Sequence, residues 1–191
     1  AEHSEGLLCL TGCLNGEIPR LIRRGSKKDL YTAVEEYLDI FGDRLYLELQ
    51  DNGYRRQKEI NERLVKLSKH FGVPIVATNN CHYLENNEKE AYETLIAIRR
   101  EKRLDKMSFA RAITENLHLR SAQEMEQIFS NYPEALKNTL RIAEMSDITI
   151  DTKACHFPNP PVPAGRGLDE YFVDVAQQGF DERLPVIRST Y

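Results

Sequence analysis

Apolar positions along the 191 residues follow two rhythms. Short, nearly continuous apolar runs occur at Leu7 to Leu10, Leu45 to Leu49 and Val73 to Ala77. Each is cut off by turn-forming or polar residues, as buried strands are. The stretches between them have helical spacing. Glu17 to Arg24 predicts a short helix stopped by Gly25. Ser26 and Asp29 have capping-box spacing, ahead of Leu30, Val34, Tyr37, Leu38 and Phe41, with Gly42 as the stop. Arg55 to Phe71 carries Ile60, Leu64, Leu67 and Phe71 on one stripe, with Gly72 just past its end. Strand, helix, strand, helix, strand predicts a parallel sheet with helices packed outside it. Right-handed crossovers would bring Gly12-Cys13, Glu48 to Asn52 and Asn79 to His82 to one edge. Ligand and catalytic groups gather at that edge in sheets of this kind.

Past Leu84 the pattern turns helical. Glu88 to Arg100 predicts one helix, Ser121 to Phe129 a second that opens on a capping box, and Pro133 onward a third with Leu136, Leu140 and Ala143 on one face. Asp147 to Asp151 alternates like a short strand. The proline-rich Phe157 to Pro163 predicts an extended linker, and Leu168 to Leu184 a last helix. The expected division is residues 1–150, an α/β unit of parallel βαβ type with a helical annex, and residues 151–191, a linker and a new beginning.

A net charge of −4 argues against wrapping nucleic acid by bulk charge, while leaving room for a locally basic face. No apolar stretch reaches membrane-spanning length and no signal peptide is evident, so a soluble, cytoplasmic protein without membrane partners is expected. The four cysteines lack the spacing of a disulfide framework, and Cys9 and Cys13 have no second pair to complete a structural zinc site. The absence of a starting methionine makes the chain read as a piece of something larger.

The most informative stretch is Thr78-Asn79-Asn80-Cys81-His82, where an apolar strand ends in side chains able to bind metals or protons. Asn80 and His82 are two apart and share one side while the chain stays extended; Cys81 then points the other way and reads as packing. His82 is either a strand-end histidine bonded to backbone or a metal ligand. Cys13 is either a small buried residue in a turn or a thiolate ligand from a neighbouring strand end. Glu48 reads as a residue behind that site or as a turn cap. His70 ends a helix beside its terminal carbonyls, and His3 and His118 have no informative neighbours. Arg99, Arg100, Lys102 and Arg103 form either a solvated helix face or a contact to a phosphate backbone. No phosphate-binding glycine loop, serine elbow or H-E-x-x-H is present.

Several stretches together resemble the polymerase and histidinol phosphatase (PHP) domain of the bacterial DNA polymerase III alpha family. They are Gly6 to Glu17, Tyr46 to Gly53, Val73 to Leu84, Leu119 to Met125, Tyr132 to Thr139 and the helix around Gly179 to Leu184. The resemblance implies the C-terminal part of a distorted (βα)7 barrel, followed by the start of a polymerase palm. It implies Zn²⁺ or Mn²⁺ at the strand ends, with Cys13 in a cysteine or histidine ligand position and Asn80 and His82 in the place of an Asp-x-His pair. Asn80 departs from that pattern, since a neutral amide is a weaker ligand than a carboxylate. Further ligands would precede residue 1, and the Mg²⁺-binding palm aspartates would follow Tyr191.

The resemblance therefore implies a DNA-directed DNA polymerase as parent, with DNA, deoxynucleotides and other replisome subunits as partners. The PHP part would support a metal-dependent 3′–5′ exonuclease or brace the polymerase, and the piece itself is expected to be inactive. The rival expectations are a free-standing phosphoesterase of the histidinol phosphatase kind and a non-catalytic interaction module.

Overall fold

The structure, a computed structural model, describes residues 2–101, 103, 116–154, 158 and 160–190. Two compact units divide the chain, Ala1–Asp147 and Ile148–Tyr191. The first holds strands β1 (Cys9–Leu10), β2 (Leu45–Leu49) and β3 (Ile75–Ala77), all parallel, in the order β1-β2-β3. Helices α1 (Glu17–Arg24) and α2 (Lys27–Phe41) join β1 to β2, and α3 (Arg55–Phe71) joins β2 to β3. After β3 come α4 (Lys89–Arg99), α5 (Ala122–Ile128) and α6 (Pro133–Met145). The α/β class and parallel βαβ order agree with expectation; a three-stranded sheet is what is present among the described residues, not a closed barrel.

β2 is central and buried along its whole length, as a strand covered on both faces must be. Leu45, Leu47 and Leu49 enter one core with Ile18 and Ile22 of α1, Val34 of α2, and Ile60, Leu64 and Leu67 of α3. By alternation, Tyr46 and Glu48 occupy the other face. Gly25 and Gly72 close α1 and α3 in the left-handed conformation, which explains why both stops were legible as glycines.

The outer edge of β3 is covered by side chains. Asn138 Nδ2 donates to the Ile75 carbonyl at 2.7 Å, and Thr139 Oγ1 to the Ala77 carbonyl at 2.9 Å, both from α6. Two edge carbonyls that could pair with another strand are thus satisfied by a helix.

Three local expectations are corrected, and His70 gains ring contacts at its helix end. Leu7 and Leu8 lie outside β1, and Asp147 to Asp151 is irregular, with Ile148 and Ile150 81% and 72% exposed. A strand needs a neighbour, and alternation alone does not supply one. His70 packs its ring against Tyr31 and Phe71, at 4.8 and 4.7 Å between centroids. The last helix, α7 (Leu168–Thr190), continues past Leu184 and contains Pro185. No helix among the described residues is long and apolar enough to cross a membrane. Cys155, His156 and part of the Phe157 to Pro163 linker lie outside the described residues.

Candidate metal and phosphate site at the strand ends

The loop after β1 brings Cys13 to the sheet edge. Its amides are drawn into place from β2: the Glu48 carboxylate accepts from Gly12 N at 2.9 Å, and Thr11 Oγ1 accepts from Glu48 N at 2.9 Å. The loop closes with Gly16 N donating to the Cys13 carbonyl at 2.8 Å. Gly16 has an ordinary φ, yet a Cβ there would lie 2.2 Å from the Thr11 carbonyl oxygen. Close approach of backbone, not backbone conformation, is why this residue has no side chain.

Glu48 ties all three strand ends together. Besides Gly12 N, its carboxylate accepts from Gln50 Nε2 at 2.9 Å and from the hydroxyl of Thr78, just after β3. The group is 8% exposed and no cation pairs with it among the described residues. Its burial is compensated by three donors. Behind it, Asn61 Nδ2 of α3 donates to the Gln50 carbonyl at 2.8 Å, and Gln57 supports Asn61 at 3.1 Å. Of its contacts, none is to a backbone amide of the 50–53 turn; the carboxylate joins the three strand ends instead.

His82 and Asn80 do meet, with Nε2 and Oδ1 3.1 Å apart. Tyr92 OH lies 2.8 Å from Nδ1. Burial is the main influence raising the Tyr92 hydroxyl above its usual range, against the lowering effect of Arg99, so it stays a neutral phenol. In one tautomer Tyr92 donates to Nδ1 and Nε2–H donates to Asn80; in the other, Nδ1–H donates to Tyr92 and Nε2 is free to bind a metal. A metal-bound histidine commonly has just such an oxygen partner on its second nitrogen. Two donors each about 2.0–2.1 Å from one tetrahedral ion lie about 3.3–3.4 Å apart, a little farther than the Asn80–His82 contact.

Cys81 is corrected. It is exposed, with Sγ donating to the Tyr83 carbonyl at 3.2 Å, because the chain leaves extended geometry after β3 and alternation no longer governs it. Cys9 is half-buried, and burial pushes its thiol pKa up, so it remains a protonated packing group.

Cys13, Asn80 and His82 all line one cavity of ≈ 530 Å³, together with Tyr92, Arg99 and Arg100. Two of the four basic residues singled out in the sequence thus face the same space as the three ligand candidates. Arg103 is exposed, and Lys102 lies outside the described residues. No three His, Cys, Asp or Glu side chains among the described residues come close enough to hold a metal by themselves.

Beside the cavity, residues with no evident partner in sequence hold the segment of Leu117, one of its lining residues. Asn79 donates to the His118 carbonyl at 2.9 Å and accepts from Arg120 N at 3.2 Å, locking the end of β3 to residues 117–120. Arg120 also reaches the Asp51 carbonyl after β2. Burial lowers the Arg120 pKa, an effect countered by the charge of Asp51. His118 does have company, since its Nε2 lies 3.5 Å from Glu124.

Comparison with known proteins gives the chain its relatives. Residues 1–52 match the family model of the PHP domain. Over 189 residues the chain is 31% identical to the DNA polymerase III subunit alpha of Treponema pallidum, covering 98% of this chain and 16% of the relative. The chain is homologous to a segment of DNA polymerase III alpha subunits. The subunit of Pseudomonas fluorescens is 33% identical over 187 residues, again 98% of this chain and 16% of the relative. That of Borreliella burgdorferi is 37% identical over 162 residues, 85% of this chain and 14% of the relative. The chain thus spans about a sixth of the length of the DNA polymerase III alpha relatives it matches, as the 16% coverage records.

Tyr92 and Asn79 are the contributing residues least visible in sequence. Glu48 had a signal, a lone carboxylate inside the apolar Leu45 to Leu49 run. Tyr92 and Asn79 act through contacts that depend on where distant segments fold.

Proposed function

We propose that this chain is part of a DNA polymerase III alpha subunit whose PHP portion forms one corner of a metal-dependent phosphoester site. The observation that carries the reading is the shared cavity, where Cys13, Asn80 and His82 meet Arg99 and Arg100. Cys13 and His82 would hold Zn²⁺ or Mn²⁺, with Asn80 as a weak oxygen ligand and Tyr92 orienting His82. Remaining ligands would come from elsewhere in a longer protein. A metal there would polarise a phosphoryl oxygen, and the two arginines would hold its negative charge. Nucleotide transfer, with its own Mg²⁺, deoxynucleotides and replisome partners, belongs to that whole protein and to parts outside residues 1–191. By the same reading the segment alone is inactive.

A second reading is a structural brace, favoured by the lack of a complete ligand set among the described residues and by the neutral Asn80. A free-standing phosphoesterase is less well supported, because the curated relatives are about six times longer and named as polymerase subunits.

Equilibrium dialysis of the full parent subunit against Mn²⁺ or Zn²⁺, followed by metal analysis, tests the choice. Bound metal is expected in the native sequence, lost in His82→Ala and held more tightly in Asn80→Asp. Equal metal content in the native sequence and His82→Ala would sink the metal reading and leave the brace.

A further inference from the structure

A second concave surface lies beside the first and is more basic. Between α1 and α3 is a groove of ≈ 450 Å³ lined by Arg20, Arg23, Arg24, Arg56 and Arg63, with Glu59 as its single acid. Five positive charges against one stand out in a chain whose net charge is −4. Glu59 is turned to Arg55, 3.4 Å away. Arg63 is anchored, with Nη1 donating to the Ile22 carbonyl at 3.0 Å. Arg20, Arg23, Arg24 and Arg56 are exposed and have no ion pair among the described residues.

Local helix electrostatics explain only part of this. Arg23 and Arg24 sit in the last turn of α1, where the helix dipole favours cations. Arg56 sits in the first turn of α3, where the dipole opposes a cation, and that turn contains no acid. Arg20 and Arg63 belong to neither terminus. Crowding these charges costs free energy that no ion pair among the described residues recovers, and a polyanion would recover it.

The groove is continuous with the strand-end cavity. Arg23 and Arg56 line both, and Arg99 and Arg100 stand further along the second. Tyr54 and Tyr92 also line that cavity, so an aromatic surface lies beside the basic track. Guanidinium groups in series match a ligand whose phosphates repeat, and aromatic rings beside them suit unpaired bases.

We propose that the α1–α3 arginine groove binds the phosphodiester backbone of single-stranded DNA and leads it to the strand-end cavity. Binding in the groove needs no metal; only the destination of the strand rests on the phosphoester reading above.

The test is fluorescence anisotropy of a labelled oligothymidylate of about twelve nucleotides with the 191-residue chain, across a salt series. Five phosphate contacts on a single strand give a log–log salt slope of about −3.5, so affinity should fall about a hundredfold between about 50 and about 200 mM salt. Arg20→Ser with Arg24→Ser removes two contacts, should flatten the slope to about −2.1 and reduce the fall to about twentyfold. Both side chains are exposed, and an unchanged far-UV circular dichroism spectrum would confirm an intact fold. The same titration in EDTA, without added Mn²⁺ or Zn²⁺, should give the same affinity; weaker binding there would count against a groove that acts alone. No binding at the lower salt, or an unaltered slope in the double variant, would overturn the proposal. So would equal affinity for duplex of the same length, or equally effective competition by polyglutamate.

Discussion

Replacing Glu48 by alanine removes the acceptor that joins three strand ends, and its cost can be worked from the structure. Gly12 N–H and a Gln50 amide hydrogen lose bonds of 2.9 Å each, and the Thr78 hydroxyl loses its acceptor. Hydrogen bonds to a charged group contribute about 1.5–3 kcal/mol apiece. They share one carboxylate and are not additive. Gln50 Nε2 also retains Thr78 Oγ1 at 3.2 Å, which recovers part of the loss. About 3 kcal/mol is therefore expected for Glu48→Ala, and about 1–2 kcal/mol for Glu48→Gln, which retains one acceptor oxygen and the side-chain volume. Urea denaturation followed by circular dichroism reads the difference. With a slope of about 2 kcal/mol per molar, the midpoint should fall by about 1.5 M in the alanine variant. Freed from Glu48, Gly12 should also let the Cys13 loop open, so Cys13 should react faster with a thiol reagent, as peptide mapping would show. A midpoint shift equivalent to less than about 0.5 kcal/mol would refute the assignment, because surface substitutions alone produce changes of that size.

Two further substitutions probe the supports of the site. Gly16→Ala places a methyl group 2.2 Å from the Thr11 carbonyl, so the loop must move; a loss of about 1–3 kcal/mol is expected, and an unchanged Tm would contradict it. Ser121→Ala removes the N-cap of α5 and should cost about 1 kcal/mol at neutral pH by chemical denaturation. The pH dependence of that variant has a defined sign. Ser121 backbone and hydroxyl donors, with His118 next, hold the Glu124 carboxyl below its ordinary 4.5. A depressed folded-state pKa gives stability that is present above the unfolded value and lost as pH falls through the folded one. The gap between native and variant chains should narrow below about pH 4.5, and a constant gap down to pH 3 would contradict the capping role.

The helices around the sheet were legible because each satisfies itself locally. Arg55 to Phe71 carries its own apolar stripe, and Gly72 supplies the left-handed stop, so α3 appears with the bounds its sequence predicts. Strands depend on neighbours, and the errors concentrate there. Leu7 and Ile148 have strand-like neighbours in sequence but no strand partner among the described residues. The wall of the site was illegible for a related reason. Residues 117–120 reach the end of β3 through Asn79 and through a parallel bridge between Tyr83 and His118, across more than thirty positions of chain. Nothing in the local composition of either segment encodes that meeting.

The contrast between Asn80 and Cys81 shows what a short motif can support. Both were placed by the same alternation. Asn80 and His82 did converge, but Cys81 did not turn inward, although extended geometry had ended for all three. Their agreement therefore owes less to strand pleating than to a direct contact with outside support. Tyr92, from α4, holds His82 Nδ1, and Asn79 fixes the preceding backbone. If that support positions the pair, Tyr92→Phe should disturb the site even though it removes a single hydroxyl far from any strand. In a chain that binds metal through His82, this variant should weaken metal affinity by about tenfold or more, the usual effect of losing a ligand's own hydrogen-bond partner. Dialysis against Mn²⁺ or Zn²⁺ reads it directly. Unchanged affinity in Tyr92→Phe, alongside loss in His82→Ala, would show that α4 merely neighbours the site without orienting it.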